Sequence, residues 1–206
     1  LNLINKLAEN KFEAFKNSLL SKSDEIKSYF EMLPSYSSLK QEFLALSNEL
    51  SQKELTKWLK EHLSMGSIDV NIMTKVDKVN YKNKTKLPVE YNDAHAALRG
   101  YALSDLNSSV IFSAGFNPKL YGYIEQFEDF YPSEHGCLKK KIVLKVSDYR
   151  SAMIQGKFLA KKGLWVSEYR IESGLNCGGH AFATDGYLLG PILDEFKEKR
   201  SELIES

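Results

Sequence analysis

From Leu3 to about Leu63 the apolar residues return at steps of three and four: Leu3, Leu7, Phe15 and Leu19, then Ile26, Tyr29, Phe30 and Leu33, then Phe43, Leu46 and Leu50, then Leu55, Trp58, Leu59 and Leu63. This is the period of helices with one apolar stripe, so three or four amphipathic helices packed on one another are expected. Pro34 and the serines around it interrupt the run, and Ser51-Gln52-Lys53-Glu54 has the form of a capping box opening a further helix. After Gly66 the period changes. Ile68 to Met73 reads as a strand, Lys75 to Tyr91 as a polar, lysine-rich, turn-prone stretch, and Ala94 to Leu106 as a helix. Ser109 to Ser113 is a second short apolar strand, and Pro118 to Phe130 a helix with proline in its first turn. Lys141 to Val146 is a third strand, Tyr149 to Lys162 a helix capped by Gly163, and Leu164 to Ile171 a fourth strand. Ser173 to Gly186 is a glycine-rich loop, and Leu188 to Glu205 a final helix. Short apolar strands alternating with helices predict an α/β fold of parallel βα units at 66–206, preceded by a helical region at 1–65.

Composition narrows the class. The 206 residues are 43% hydrophobic and 12% aromatic, ample for a packed core and unlike a disordered or collagenous chain. With 28 basic against 27 acidic residues the net charge is +1, so no overall field attracts nucleic acid or an anionic membrane. No apolar run approaches the about 20 residues that span a bilayer, and the first residues do not form a signal peptide, so a cytoplasmic location is expected. Cys137 and Cys177 stand alone, which argues against a disulfide framework or a cysteine zinc site.

In parallel α/β folds the ligand side is the carboxyl end of the strands. The residues there are Asn71 to Lys75, Ser113-Ala114-Gly115, Lys145-Val146-Ser147 and Glu172 to His180. In the last segment, Gly174, Gly178 and Gly179 allow positive φ and close backbone approach, and His180 ends the loop as an acid, base or hydrogen-bond donor; a plain surface loop is the alternative. Standard motifs fail one by one. Ser151 stands where a P-loop before Gly156-Lys157 needs its first glycine, and there is neither a dinucleotide fingerprint nor a nucleophile elbow. Cys177 beside His180 is a weak nucleophile pair, while His62, His95 and His135 lack ligand spacing and are expected at the surface.

Taken in order, Val70-Asn71-Ile72-Met73, Ser113-Ala114-Gly115 with Pro118, Leu144-Lys145-Val146, and Glu172-Ser173-Gly174-Leu175-Asn176-Cys177-Gly178-Gly179-His180 resemble the strand ends of the FMN-dependent TIM-barrel family of nitronate monooxygenases and flavin-containing enoyl-acyl-carrier-protein reductases. The resemblance runs from about Ile68 to Pro191. It implies that Asn71, Ser113, Ala114, Gly115 and Lys145 surround the flavin ring and ribityl chain. Glu172, Gly174, Gly178 and Gly179 would shape the neighbouring loop, and His180 would face the substrate. The implied activity is an FMN-dependent oxidoreductase acting on a small molecule, with NAD(P)H as a candidate electron donor. Cys177 in place of the family's alanine, one extra loop residue, Asn117 before Pro118 and the polar insertion at 75–91 depart from the pattern and leave the substrate open. A closed barrel takes about 250 residues. The matched strands look like the third to sixth of eight, and the chain opens on Leu1, so the expectation is an excerpt holding a partial barrel that binds FMN weakly or not at all by itself. Exposed strand edges would then invite self-association. Two other readings stay open: a non-enzymatic barrel-derived module whose helical region docks a partner, and an aldolase-type barrel enzyme using Lys145.

Overall fold

The computed structural model describes residues 1–19, 23–73, 77–113, 115–172 and 189–205, and the chain divides into two compact units, Asn2–Gly66 and Ser67–Ser206. The first unit is helical throughout: α1 (Asn2–Asn17), α2 (Ser23–Glu31), α3 (Ser38–Glu49) and α4 (Gln52–His62). Ser37 caps α3, and the Ser51/Glu54 capping box opens α4 with both reciprocal bonds formed. The stripes meet in a small core of Leu19, Ile26, Phe30, Leu59 and Leu63, where the Phe30 and Phe43 rings stack at 3.8 Å.

The second unit runs β1 (Val70–Met73), the hairpin strands β2 (Tyr81–Lys82) and β3 (Thr85–Lys86), α5 (Asp93–Ala102), β4 (Ser108–Ser113), α6 (Pro118–Tyr123), β5 (Lys140–Val146), α7 (Tyr149–Ala160), β6 (Val166–Ile171), α8 (Leu189–Glu198) and α9 (Arg200–Glu205). Four strands form one parallel sheet in the order β1-β4-β5-β6, so each pairs with the next main strand in the chain. With right-handed crossovers, an order that never reverses puts every connecting helix on the same face. The core agrees: Ile72, Val110, Phe112, Ile142, Leu144 and Val146 point into one cluster with α5, α6, α7 and α8. The fold is thus α/β, a four-stranded parallel sheet with helices ahead of it in the chain.

Departures from the expected elements have tertiary causes. The helix expected over Ala94–Leu106 stops at Ala102, because the carbonyls of Ser104 and Leu106 turn to the ammonium of Lys140, which is 0% exposed and also sits over the Tyr101 ring. Desolvation pulls the Lys140 pKa down, and these acceptors are what let a charged lysine stay there. The helix expected over Pro118–Phe130 breaks into α6 and two 3₁₀ turns. Ile124 and Phe130 are both buried, and six residues along an α-helix would set them about 120° apart, on different faces. The last helix is divided at Lys199, whose carbonyl accepts from Tyr149 Oη at 3.3 Å. Gly163, at φ +71°, closes α7 as expected. The polar insertion holds the β2–β3 hairpin, turned by Asn83 and Lys84 at positive φ.

Candidate active site

The second face of the sheet carries no connecting helix; it holds the buried Ile111 and Val143 at its centre and polar residues along its outer strands and carboxyl end. Along β1, Asp69 and Asn71 alternate with the inward Ile68, Val70 and Ile72, and along β6 Glu168, Arg170 and Glu172 alternate with Tyr169 and Ile171. A β-strand turns alternate side chains to opposite faces, so these polar residues share the open one. At the carboxyl end the strands bring four of the expected site residues into two pairs. Ser113 Oγ donates to Asn71 Oδ1 at 2.9 Å, leaving the Asn71 amide nitrogen as a donor on the exposed side. Lys145 Nζ meets Glu172 Oε1 at 2.7 Å, with the lysine largely covered and the carboxylate somewhat less so. The Glu172 amide continues the ladder to Val146 O at 2.9 Å, which fixes where that carboxylate leaves the sheet. Gly115 follows β4 at φ +101°, and no atom stands within 4 Å of where a side chain would begin. Only glycine takes this conformation without strain, and the backbone there is open to close approach.

Ala114, Gly174, Cys177, Gly178, Gly179 and His180 lie outside the described residues.

Sequence reasoning missed the charges beneath these pairs. Arg170 donates through Nε to Glu168 Oε1 at 2.5 Å and reaches Asp69 Oδ2 at 3.8 Å, while Asp69 Oδ1 accepts from the Ser109 amide at 3.0 Å. The Glu168 hydrogen bond, followed by the negative charges of Glu168, Asp69 and Glu172, holds the guanidinium above its ordinary pKa against some desolvation. Period-two charge along Glu168, Arg170 and Glu172 was the signal that could have found this row.

The Arg170–Asp69 contact also reports curvature. The two groups come from opposite edges of the sheet, three strand spacings or about 14 Å apart if the sheet were flat. Val70, Val110, Ile142 and Val166 are level across the ladders, and past the register shift at Ile142/Val143 Arg170 pairs with Lys145, so it stands three ladder steps beyond that level and Asp69 one before it. Strands must be tilted and the open face drawn in for this diagonal to meet.

One expectation is overturned. His95 is not at the surface: it is 2% exposed, its Nδ1 is bonded to Asp77 Oδ2, and its ring lies 5.0 Å from that of Tyr123. Asp77 Oδ1 also accepts from the Ala94 amide at 2.7 Å, so one carboxylate caps α5 and orients the imidazole. His62 and His135 are exposed, as expected. Among the described residues no cluster of three or more His, Cys, Asp or Glu could hold a metal, and no helix is long and apolar enough to cross a membrane. No protein-family model, curated protein or solved structure matches the chain.

Proposed function

We propose that the Ser67–Ser206 unit belongs to an FMN-dependent oxidoreductase of the nitronate monooxygenase and enoyl reductase type, built on barrel-type βα units. One observation carries this reading: Asn71, Ser113, Lys145 and Glu172, singled out from four separate strand ends, come together in pairs at the carboxyl end of one sheet face, the one away from the connecting helices. The strand order without reversal and the Arg170–Asp69 diagonal support barrel-type curvature. The residues fit a flavin. Gly115 leaves room for the backbone to approach a planar ring, Asn71 offers an amide donor, and Lys145 supplies a positive charge whose Glu172 partner keeps it from being a bare buried cation.

When bound, the flavin supplies electron and hydride transfer, while the protein orients and desolvates. Asn71 and Ser113 would hold one edge of the ring by hydrogen bonds, each fixing the other's rotamer. Lys145 would set local charge, and Glu172 would hold its ammonium in place. His180 is assigned by resemblance to proton handling on the substrate side.

A protein carrying the complete barrel around this unit is expected to show visible flavin absorbance, or to acquire it with added FMN, whereas residues 1–206 by themselves are expected to bind it weakly or not at all. Lys145→Met should weaken FMN binding by about tenfold or more, the worth of one charge-assisted hydrogen bond. His180→Ala should spare flavin content and impair turnover. A colourless complete-barrel protein that takes up no added FMN overturns the assignment.

A further inference from the structure

From Lys78 to Val89 the chain holds Lys78, Lys82, Lys84 and Lys86 and no acidic residue, although basic and acidic side chains are almost equal in number overall. All four lysines are exposed, and among the described residues none meets a carboxylate, whereas Lys139, Lys145, Lys162 and Lys199 each do. The flanking acids are turned elsewhere. Asp77 accepts from the Ala94 amide and bonds His95, Asp93 Oδ1 accepts from Asn80 Nδ2 at 2.8 Å, and Glu90 Oε2 is buried. Surface charge is ordinarily interspersed, so an unneutralised run of one sign marks a surface that an anion can face.

These cations stand on a fixed frame. β2 and β3 are joined by Asn83 and Lys84 at φ +48° and +65°, the two-residue turn that fits the twist of the strands. Leu87 N donates to Asn80 O at 2.9 Å, Asn80 Nδ2 also donates to Tyr91 O at 2.8 Å, and Asp93 N donates to Lys78 O at 3.1 Å. The hairpin is thereby tied to the first turn of α5. Register sets Tyr81 opposite Lys86, so one face carries a ring, 63% exposed, beside an ammonium stem with about 5 Å between their Cβ atoms. Lys84 is in the adjoining turn, and Lys82 points to the other face. Met73 ends β1 and Asp77 is four residues on, a reach of at most about 14 Å, so the hairpin rises from the rim that holds Asn71 and Ser113.

Elimination narrows the anion. A strand pair two residues long spans about 7 Å, enough for a diphosphate and too short for a run of backbone phosphates, and a net charge of +1 supplies no field to hold a polymer. The tip, Lys82-Asn83-Lys84-Thr85, has no apolar side chain to enter a lipid surface. A plain inorganic anion would leave the Tyr81 ring unused, whereas a nucleotide brings a flat base for the ring and phosphates for the lysines.

We propose that the β2–β3 hairpin binds a nucleotide of the nucleoside diphosphate class, free or as half of a dinucleotide, with the base on Tyr81 and the phosphates on Lys84 and Lys86. This site stands without the flavin reading.

The test is equilibrium titration of the full chain with ADP and, separately, with inorganic pyrophosphate. Lys84→Gln combined with Lys86→Gln should weaken both probes at least about tenfold, while Lys82→Gln, on the other face, should change either far less. Tyr81→Ala should weaken ADP about tenfold and leave pyrophosphate unchanged. All four positions are exposed, so circular dichroism should not change. No ADP bound at millimolar concentration overturns the proposal, as does ADP binding indifferent to the Lys84 and Lys86 changes, or a Tyr81→Ala effect equal for both probes. Single-stranded oligonucleotide or phosphatidylserine vesicles held more than tenfold tighter than ADP overturn it in favour of a polymer or a membrane. ADP binding lost with Lys86→Gln, in a complete-barrel protein that takes up no FMN, upholds this site and overturns the flavin reading alone; FMN uptake by a protein whose hairpin binds no ADP does the reverse.

Discussion

The two units bury their apolar residues in different ways. In Asn2–Gly66 each helix hides at most a narrow stripe: α1 and α3 contain no fully buried residue, and Leu3, Ile4 and Leu7 stand exposed along α1. In Ser67–Ser206 β4 buries every residue but Ser109, and β5 buries five of its seven. Strands flanked on both sides lose their edges to neighbouring strands and one face to the helices, which four short helices around five buried side chains cannot match. The lesson is that similar apolar content supports unequal stability, since burial grows with the thickness of the packed layers.

The sharpest way to break this comparison is a matched pair of core truncations. Phe30→Ala and Leu144→Ala remove buried side chains worth about 3–5 and 2–5 kcal/mol respectively. We expect the first to unfold 2–66 outright, seen as lost amide protection confined to that unit, and the second to lower the melting temperature of the sheet unit without unfolding it. Equal responses would show that the two units share one cooperative transition.

Alkaline titration probes the difference next. Burial pushes the Tyr101 and Tyr169 hydroxyls up to about 12 and raises Tyr121 as well, all in the sheet unit, while the buried set of the helical unit contains no tyrosine. An unfolded tyrosine releases its proton near 10. The folded state therefore holds more protons between these values, so the stability tied to these phenols is intact below pH 10 and is lost as pH climbs through about 12. Lys140, lowered by burial, works in the opposite sense as pH approaches its ordinary value of 10.5, so the loss is to be read above that point. Tyrosinate absorbance should rise in a cooperative step that coincides with loss of sheet circular dichroism. Independent titration of all tyrosines near 10 would contradict the buried core.

The smallest expected effect is Ser51→Ala, which removes the acceptor for the Glu54 amide and the reciprocal capping box. It should cost about 1 kcal/mol, shift the midpoint of the helical unit alone and leave flavin binding untouched.

Much of the fold was legible because local chemistry and final structure agree. The four strands, the helices between them and the Ser51 cap follow from period, turn residues and capping pattern, all properties of near neighbours in the chain. Where elements were misread, a distant partner intervened: Lys140 unwound the end of α5, and the need to bury Ile124 and Phe130 together broke the helix after Tyr123. The site divides in the same way. Asn71, Ser113, Lys145 and Glu172 could be named from their places after strands, but their pairing depends on parallel register across residues as far as 42 positions apart. His95 was misplaced because nothing around it in sequence announces Asp77, eighteen residues away, as its partner.

The sequence by itself determined the order of strands and helices, the face each strand turns inward and the residue types available at the strand ends, since these depend on alternation and steric preference along a few residues. Only the tertiary structure decided that the sheet draws in until Arg170 meets Asp69, that Lys140 and His95 are buried with partners, and that the strands line up in the order β1-β4-β5-β6. Those outcomes belong to long-range packing, where a side chain's environment is supplied by segments it cannot sense until the chain has closed around it.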